Sequence, residues 1–169
     1  MANTIHGVVR TDEMLATSAS AGLHSAKYFV DTTATEIDNG SVVKLDSLLE
    51  GERELWKAVA PTASDDIATI YLVATPEVMY DERLRNLTDF YNEADTAIRC
   101  YALHTGDIFS VTAPVLDGAE TAAVGSIVEL QAGTKLKAVS SATGGSTTVG
   151  KIIAVETVGT LTYYVVRVD

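Results

Sequence analysis

Short runs of β-branched, aliphatic and aromatic residues recur along the chain and are separated by glycine, proline and asparagine. This pattern predicts strands joined by turns. The predicted strands cover residues 27–31, 41–45, 55–59, 67–74, 98–103, 108–112, 127–131, 135–139, 151–156 and 161–168. The last four of them flank short turns at 132–134 and near Gly159, so they predict two hairpins. The predicted fold class is mainly β, an antiparallel barrel or sandwich with one short helix and an extended N-terminal arm.

The predicted helix follows the run of strands. The sequence Thr75-Pro76-Glu77 offers a capping hydroxyl, a proline at the first helical position and an early carboxylate. Apolar residues then recur at spacings of four and three, beginning with Tyr80 and Leu84. These signals predict a helix over 76–87. The polar residues that follow compete for backbone hydrogen bonds and argue against its continuation to residue 98.

The N-terminal segment reads differently from the rest of the chain. Residues 14–26 are small, polar and rich in alanine and serine, so few of them are large enough to anchor the segment in a core. We predict an arm over 1–27, with a docked helix from Thr11 to Ala21 as the alternative. The remainder divides into a β-rich part, 28–112, and a hairpin-rich part, 113–169, packed together as one compact domain.

Composition and charge narrow the function classes. The 169-residue chain carries 12 basic and 23 acidic side chains, a formal net charge of −11. Nucleic acid is therefore a disfavoured partner, because phosphate backbones are held by clustered Lys and Arg. The apolar runs are far shorter than the roughly 20 residues of a membrane-spanning helix, and no signal peptide is expected. Cys100 is the single cysteine, so no intramolecular disulfide is expected.

The sequence contains no complete motif for catalysis or cofactor binding. Residues 145–151 (GSTTVGK) match the start of a phosphate-binding loop, but Ile152 replaces the required hydroxyl and the next residues favour a strand over a helix. The three histidines, His6, His24 and His104, lie far apart in sequence, and no nucleophile motif is present. We therefore predict no catalytic, cofactor-binding or metal site, and we expect the protein not to be an enzyme. Cys100, inside a predicted strand, is expected to be a buried and inert thiol.

Aromatic and arginine side chains concentrate between residues 80 and 91. These residue types are enriched at protein interfaces. Two further aromatic residues lie at the base of the arm. The residues predicted to contact a capsid or another subunit are Tyr28, Phe29, Tyr80, Arg83, Arg85, Phe90 and Tyr91.

Several segments resemble a known class of protein. They are residues 73–82 (VATPEVMYDE), 89–93 (DFYNE), 103–112 (LHTGDIFSVT) and 124–131 (VGSIVELQ). In texture they are similar to small structural proteins encoded beside the major capsid protein in tailed bacteriophages, and in particular to head decoration, or cement, proteins. The resemblance covers residues from about 39 to 168. The arm is outside it.

The resemblance implies a β-rich protein that is made in the bacterial cytoplasm and binds the outer surface of the assembled phage head. Its partner would be the major capsid protein, its role would be to stabilise junctions between capsomers, and it would act as a trimer or dimer without a cofactor. Two alternatives stay open. One is a carbohydrate-binding head fibre or adhesin module with Trp56 as a sugar platform, although a lone tryptophan in a strand more often packs in a core. The other is a tail-tube or head-completion protein.

Overall fold

The structure of the protein is a computed structural model that describes residues 4–18, 20–81, 83–84 and 86–169. Within these residues the regular structure is almost entirely strand, with helical turns only of the 3-10 type. The strands are β1 (Val9–Glu13), β2 (Leu23–Val30), β3 (Thr33–Ala34), β4 (Val42–Leu48), β5 (Leu55–Val59), β6 (Ile70–Val73), β7 (Ile98–Ala102), β8 (Ile108–Thr112), β9 (Leu116–Asp117), β10 (Ile127–Glu129), β11 (Leu136–Val139), β12 (Thr148–Val158) and β13 (Leu161–Val168). The 3-10 turns are Leu15–Thr17, Ser20–Gly22, Ile67–Thr69, Leu87–Asp89, Ala113–Val115 and Ala119–Thr121. The mainly β prediction is confirmed.

Five strands close into a small barrel. They pair in the order β2, β5, β4, β6 and β7, and β7 pairs with β2 to close the ring. Strand β3 pairs with the last residues of β2, on the side of β2 away from β5. The β2–β5 pair is parallel and the remaining pairs are antiparallel. The interior is filled mainly by small and β-branched residues, as a narrow barrel requires. Its buried centre consists of Ala26, Ile37, Val43, Ala58, Val73, Ile98 and Cys100.

The other seven strands form an open sheet that packs on the outside of the barrel. Their order is β1, β8, β13, β12, β10, β11, β9, and only the β11–β9 pair is parallel. Alternation along β6 shows how the two layers share a strand. Tyr71 and Val73 belong to the barrel interior, whereas Ile70 and Leu72 pack into the core between barrel and sheet, beside residues such as Phe109. The short apolar run of β6 is therefore buried on both faces, as the sequence predicts.

Most predicted strands are confirmed with nearly the predicted bounds. Those at 55–59, 108–112 and 161–168 match residue for residue. Both predicted hairpins form, β10 with β11 and β12 with β13. Strands β7 and β8 flank a turn at 105–107 but belong to different layers. Asp107 holds that turn, because its carboxylate accepts hydrogen bonds from the backbone N–H groups of His104 (2.9 Å) and Leu15 (2.9 Å).

The N-terminal segment is extended, but it does not stand away from the body as an arm. Val9–Glu13 is strand β1 and pairs antiparallel with β8. Met14 and Ala16 are buried in the core between barrel and sheet, and Leu23 already begins β2 of the barrel. The alternative, a helix through Ala21, is also wrong for the described residues, which form two 3-10 turns there. The sequence suggested that side chains this small would not anchor the segment in a core. Their small size instead permits the segment to pack closely against the body.

The predicted helix over 76–87 is wrong. Of residues 76–81, 83–84 and 86–98, only Leu87–Asp89 makes a helical turn, of the 3-10 type. The apolar residues that suggested helical periodicity have no core to face, since Tyr80 is 94% exposed and Leu84 is also exposed. Most of a helix's stability comes from packing its apolar face, so caps and spacing alone do not sustain one here.

Candidate functional site

The connection between β6 and β7 runs from Ala74 to Ala97, and we call it the β6–β7 loop. Its beginning is held by Asn39, a fully buried residue in the turn before β4. The Asn39 side chain accepts a hydrogen bond from the N–H of Thr75 (3.0 Å) and donates one to the carbonyl of Thr75 (2.7 Å). One side-chain amide thus satisfies both backbone groups of Thr75, as a neighbouring strand would. The Thr75 carbonyl, which would accept the first hydrogen bond of the predicted helix, is therefore already bound by Asn39.

The far end of the β6–β7 loop is anchored to the same short segment. Asn92 and Ile37 exchange two backbone hydrogen bonds of 3.0 Å each. The buried side chain of Asn92 donates to the carbonyl of Ile37 (3.0 Å) and to the side-chain oxygen of Asn39 (3.1 Å). Both ends of the loop are therefore held at residues 37–39.

His6 braces the loop from the N-terminal side. Its backbone N–H donates to the carbonyl of Thr88 (2.9 Å), and its ring stacks on Tyr91 with 4.7 Å between ring centroids. The ring Nδ1 lies 2.7 Å from a carboxylate oxygen of Asp38, whose second oxygen accepts from the N–H of Gly7 (3.0 Å). The N-terminal segment therefore contributes to the site by holding the loop.

A groove of about 640 Å³ opens between the two limbs of the loop. Its walls are mainly apolar, and they include Pro76, Val78, Met79, Tyr80, Leu84 and Phe90. Val78 is 58% exposed and Tyr80 is almost wholly exposed, so the rim presents apolar side chains directly to solvent. An aromatic and aliphatic patch on an anchored backbone is typical of a protein-binding surface.

Acidic groups surround this apolar surface. Asp81 and Glu93 line the groove, and Glu77 sits beside it with a carboxylate oxygen 3.3 Å from the Asn39 side-chain nitrogen. Arg83 forms a fork of hydrogen bonds to Asp81, the shortest 2.6 Å, and these bonds lower the pKa of Asp81 to about 2. Asp81 therefore stays ionised at every physiological pH. The balance of charge favours a partner that brings basic groups.

The residues predicted as contacts fall into two places. Tyr80, Phe90 and Tyr91 line the groove, and Arg83 lies in the same loop. Tyr28 and Phe29 do not line it, because β2 carries them along the barrel. Tyr28 packs against the barrel interior, and burial raises its pKa, while Phe29 lies 5.8 Å from the ammonium of Lys57. Arg85 lies outside the described residues.

Sequence reasoning missed two kinds of site residue. Val78, Met79 and Leu84 were assigned to a helix, so their exposure was not foreseen. Asn39, Asn92 and His6, which hold the loop, act across separations of 36 to 85 residues. Both asparagines are buried, and a buried amide must find hydrogen-bond partners. Their neighbours in the sequence include Asp38 and Glu93, so nothing local indicated that burial.

The groups that could act chemically are accounted for elsewhere. Cys100 is fully buried in the barrel, and burial raises its pKa to about 12, so its thiol is not ionised at neutral pH. Trp56 is half-buried at the barrel interior with the His24 ring edge-on at 6.2 Å, as the packing interpretation expects. No group of three or more His, Cys, Asp or Glu side chains is arranged to hold a metal ion among the described residues. In the same part of the chain, no helix has the length and apolar character to cross a bilayer.

The GSTTVGK sequence is explained by strand packing. Thr148 begins β12, so Lys151 is followed by a strand and not by the helix that a phosphate-binding loop needs. Gly150 is required for a different reason. A Cβ there would lie 1.9 Å from the carbonyl oxygen of Arg167 on β13, so any side chain would force the two strands apart.

Glu129 is a buried carboxylate on β10, at 1% exposure. Burial raises its pKa, but the hydrogen bond from the N–H of Thr143 (2.9 Å) and the Lys137 ammonium at 3.7 Å outweigh that effect, so the net pKa is lowered. Lys137 stands directly opposite Glu129 on β11. These contacts of Glu129 hold the connection between β11 and β12 in place.

Comparison with known proteins places the chain in a family. No curated protein and no solved structure matches it. The model of the family described as YonC prophage protein matches residues 17–151, which is most of the chain and includes the barrel, the β6–β7 loop and strands β8 to β11 of the open sheet. The chain therefore belongs to the YonC prophage protein family and is a protein of phage origin.

Proposed function

We propose that this protein decorates the phage head, binding the outer surface of the capsid at junctions between capsomers through the β6–β7 loop. The observation that carries the proposal is the exposure of Tyr80, at 94%, on a loop whose two ends are fixed to residues 37–39. Membership of a prophage family supports a phage role. The major capsid protein is the proposed partner, and the capsid exterior is the proposed location.

The anchoring of the loop matters to this role. A loop that ordered only on docking would lose conformational entropy with each contact. Here Asn39, Asn92 and His6 hold the backbone before any partner arrives. Tyr80 and Val78 are thereby presented on a prepared backbone, and burial of their apolar surface contributes directly to affinity.

Stabilisation of the head follows from mass action. A subunit that binds only the expanded, correctly spaced shell favours that state by its binding free energy. Each contact needs only modest strength, because many copies act on one lattice. No chemical step is required of the protein in this role, in agreement with the prediction that it is not an enzyme, which stays a prediction.

The proposed role of the N-terminal segment differs from the one that the sequence suggested. The sequence suggested that a free arm would reach across the shell. Residues 9–13 and 23–30 are instead strands of the two layers, and His6 braces the loop. Deleting residues 1–26 would therefore remove β1 and part of the barrel, so it would test folding more than binding.

The test is co-sedimentation of the purified protein with expanded heads that lack it. Wild-type protein is expected to sediment with the heads, and Tyr80→Ala is expected to lose about tenfold or more in affinity, since an exposed aromatic anchor contributes about 2 kcal/mol. Leu48→Ala, an exposed aliphatic change on β4, is the matched control and is expected to bind normally. Failure of the wild-type protein to sediment with heads would overturn the function. Equal binding by Tyr80→Ala would overturn the role of the loop.

A further inference from the structure

The β12–β13 hairpin leaves half of one strand edge unpaired. Strand β12 pairs with β10 only through Lys151, and two further backbone bonds join Ile152 to Gly125 and Ser126. Beyond that point β12 continues to Val158 with β13 on one side, and within the described chain no backbone hydrogen bond reaches its other side. We call residues 153–158 the free edge. Alternate residues there direct backbone N–H and C=O groups outward.

The other sheet edges are protected, whereas the free edge has only a bulge between Ile152 and Ala154, at its inner end. Strand β1 carries Arg10, Asp12 and Glu13 and is interrupted by a register shift. The terminal strands β3 and β9 are two residues long. The free edge contains no proline and no lysine, and its sequence Ile-Ala-Val-Glu-Thr-Val has high β propensity. Short strands and unpaired charges are the usual means of preventing edge pairing. Beyond its bulge the free edge is five residues long and its one charged residue, Glu156, is paired with Arg10, which indicates an edge that acquires a partner.

The local charge selects the partner. Two copies of a protein with net charge −11 repel one another over most of their surfaces. The free edge has one acid, Glu156, and the guanidinium of Arg10 lies 3.2 Å from its carboxylate. The edge is therefore close to neutral, unlike the acidic rim of the groove. Ile153, Val155 and Val158 are exposed along it.

We infer that the free edge of β12 pairs antiparallel with the free edge of a second copy of this chain, which joins two open sheets across a two-fold axis. A register centred on Val155 places this valine against the same valine of the second copy and places Glu156 opposite Ala154. No like charges then face each other, and Val155 and Ile153 gain apolar cover. The interface is short, so the dimer is expected to dissociate on dilution.

Sedimentation velocity over a concentration series tests the inference. Wild-type protein is expected to approach twice the monomer mass in the millimolar range. Val155→Lys puts two ammonium groups opposite each other and is expected to weaken dimerisation about tenfold or more. Val30→Lys makes the same change at a comparably exposed valine on β2 and is expected to dimerise like wild type. A wild-type monomer at every concentration, or a dimer that Val155→Lys leaves intact, would overturn the inference.

Hydrogen exchange of the wild-type protein keeps the test decisive if Val155→Lys does not fold. Outward-facing amides among residues 153–158 are expected to exchange more slowly at high concentration than at low concentration. Protection that does not change with concentration would contradict the pairing. Head binding through the β6–β7 loop is a separate measurement, so either result can fail while the other stands.

Discussion

The β6–β7 loop and the β12–β13 hairpin both expose aliphatic side chains, but they differ in whether their backbone groups are hydrogen-bonded. At the ends of the loop, the backbone groups of Thr75 are satisfied by a side-chain amide, so what the loop offers a partner is side-chain surface. Along the free edge the backbone itself is left unpaired on one side. The rim of the loop is acidic, while the free edge is nearly neutral. Exposed apolar residues therefore indicate a partner only when backbone pairing and local charge are considered with them.

The largest expected effect comes from breaking the base of the hairpin. Gly150→Ala would bring a Cβ within 1.9 Å of the Arg167 carbonyl and push β13 away from β12, at an expected cost of about 3 kcal/mol or more in the free energy of unfolding. Gly144→Ala is the matched control, because Gly144 has no heavy atom within 4 Å and its φ lies outside the left-handed region. Urea unfolding measures both variants. Equal stability of the two would show that the close approach of the strands is not obligatory.

Breaking the base of the loop should cost somewhat less. Asn39→Ala removes a buried side chain that bonds Thr75 twice and Asn92 once, at an expected cost of about 2–3 kcal/mol. Asn86→Ala, which removes one side-chain hydrogen bond to Asp89 (3.2 Å) in the exposed part of the same loop, is expected to cost about 1 kcal/mol. Chemical denaturation gives both values, and head binding should weaken for Asn39→Ala alone. Normal head binding by a folded Asn39→Ala protein would show that the loop does not need its anchor.

Acid is expected to reduce the contribution of Glu129 to the free energy of unfolding. The pKa of Glu129 is lowered in the folded protein, so its ionised form contributes stability above the unfolded-state pKa near 4.5, and this contribution is lost as pH falls through the folded pKa. Glu129→Gln is expected to cost about 1–2 kcal/mol at pH 7. The difference between wild type and variant should shrink as pH falls through the acid range. A difference that does not change with pH would contradict the ionised state of Glu129.

The smallest effect is expected at the rim of the groove. Asp81 and Arg83 form an exposed pair, so Asp81→Asn should leave the midpoint of thermal unfolding unchanged within error. Carboxyl NMR titration of the wild-type protein should place the Asp81 midpoint near 2, below the ordinary aspartate value of 3.8. An Asp81 midpoint at that ordinary value would show that Arg83 does not hold the carboxylate in solution.

Strand prediction succeeded because its signals are local. Alternating and β-branched runs such as 55–59, 108–112 and 161–168 carry their own propensity, and the glycine turns between them are visible in the sequence. The helix over 76–87 failed because capping and spacing are also local signals. They could not report that Asn39, 36 residues away, would bind the Thr75 carbonyl that the first turn of this helix needs.

The candidate site was predicted only in part. Aromatic enrichment drew attention to Tyr80, Phe90 and Tyr91, and the structure places all three along one groove. Their contact with a capsid or another subunit stays a prediction. The same enrichment grouped Tyr28 with them, although the direction of β2 turns this residue toward the barrel interior. A composition signal identifies side chains that favour interfaces, but it does not contain the positions of the strands that carry them.

The amino-acid sequence alone determined that the chain is acidic, rich in strands and free of intramolecular disulfides, because these properties depend on composition and on neighbouring residues. Tertiary structure alone decided that β7 returns to β2 to close a barrel, that the N-terminal segment docks as β1, and that the outer half of β12 pairs with β13 on one side and with no described strand on the other. The physical reason is the distance along the chain. These outcomes depend on pairings between residues tens of positions apart, and the backbone groups and apolar faces involved could have been satisfied locally in several other ways.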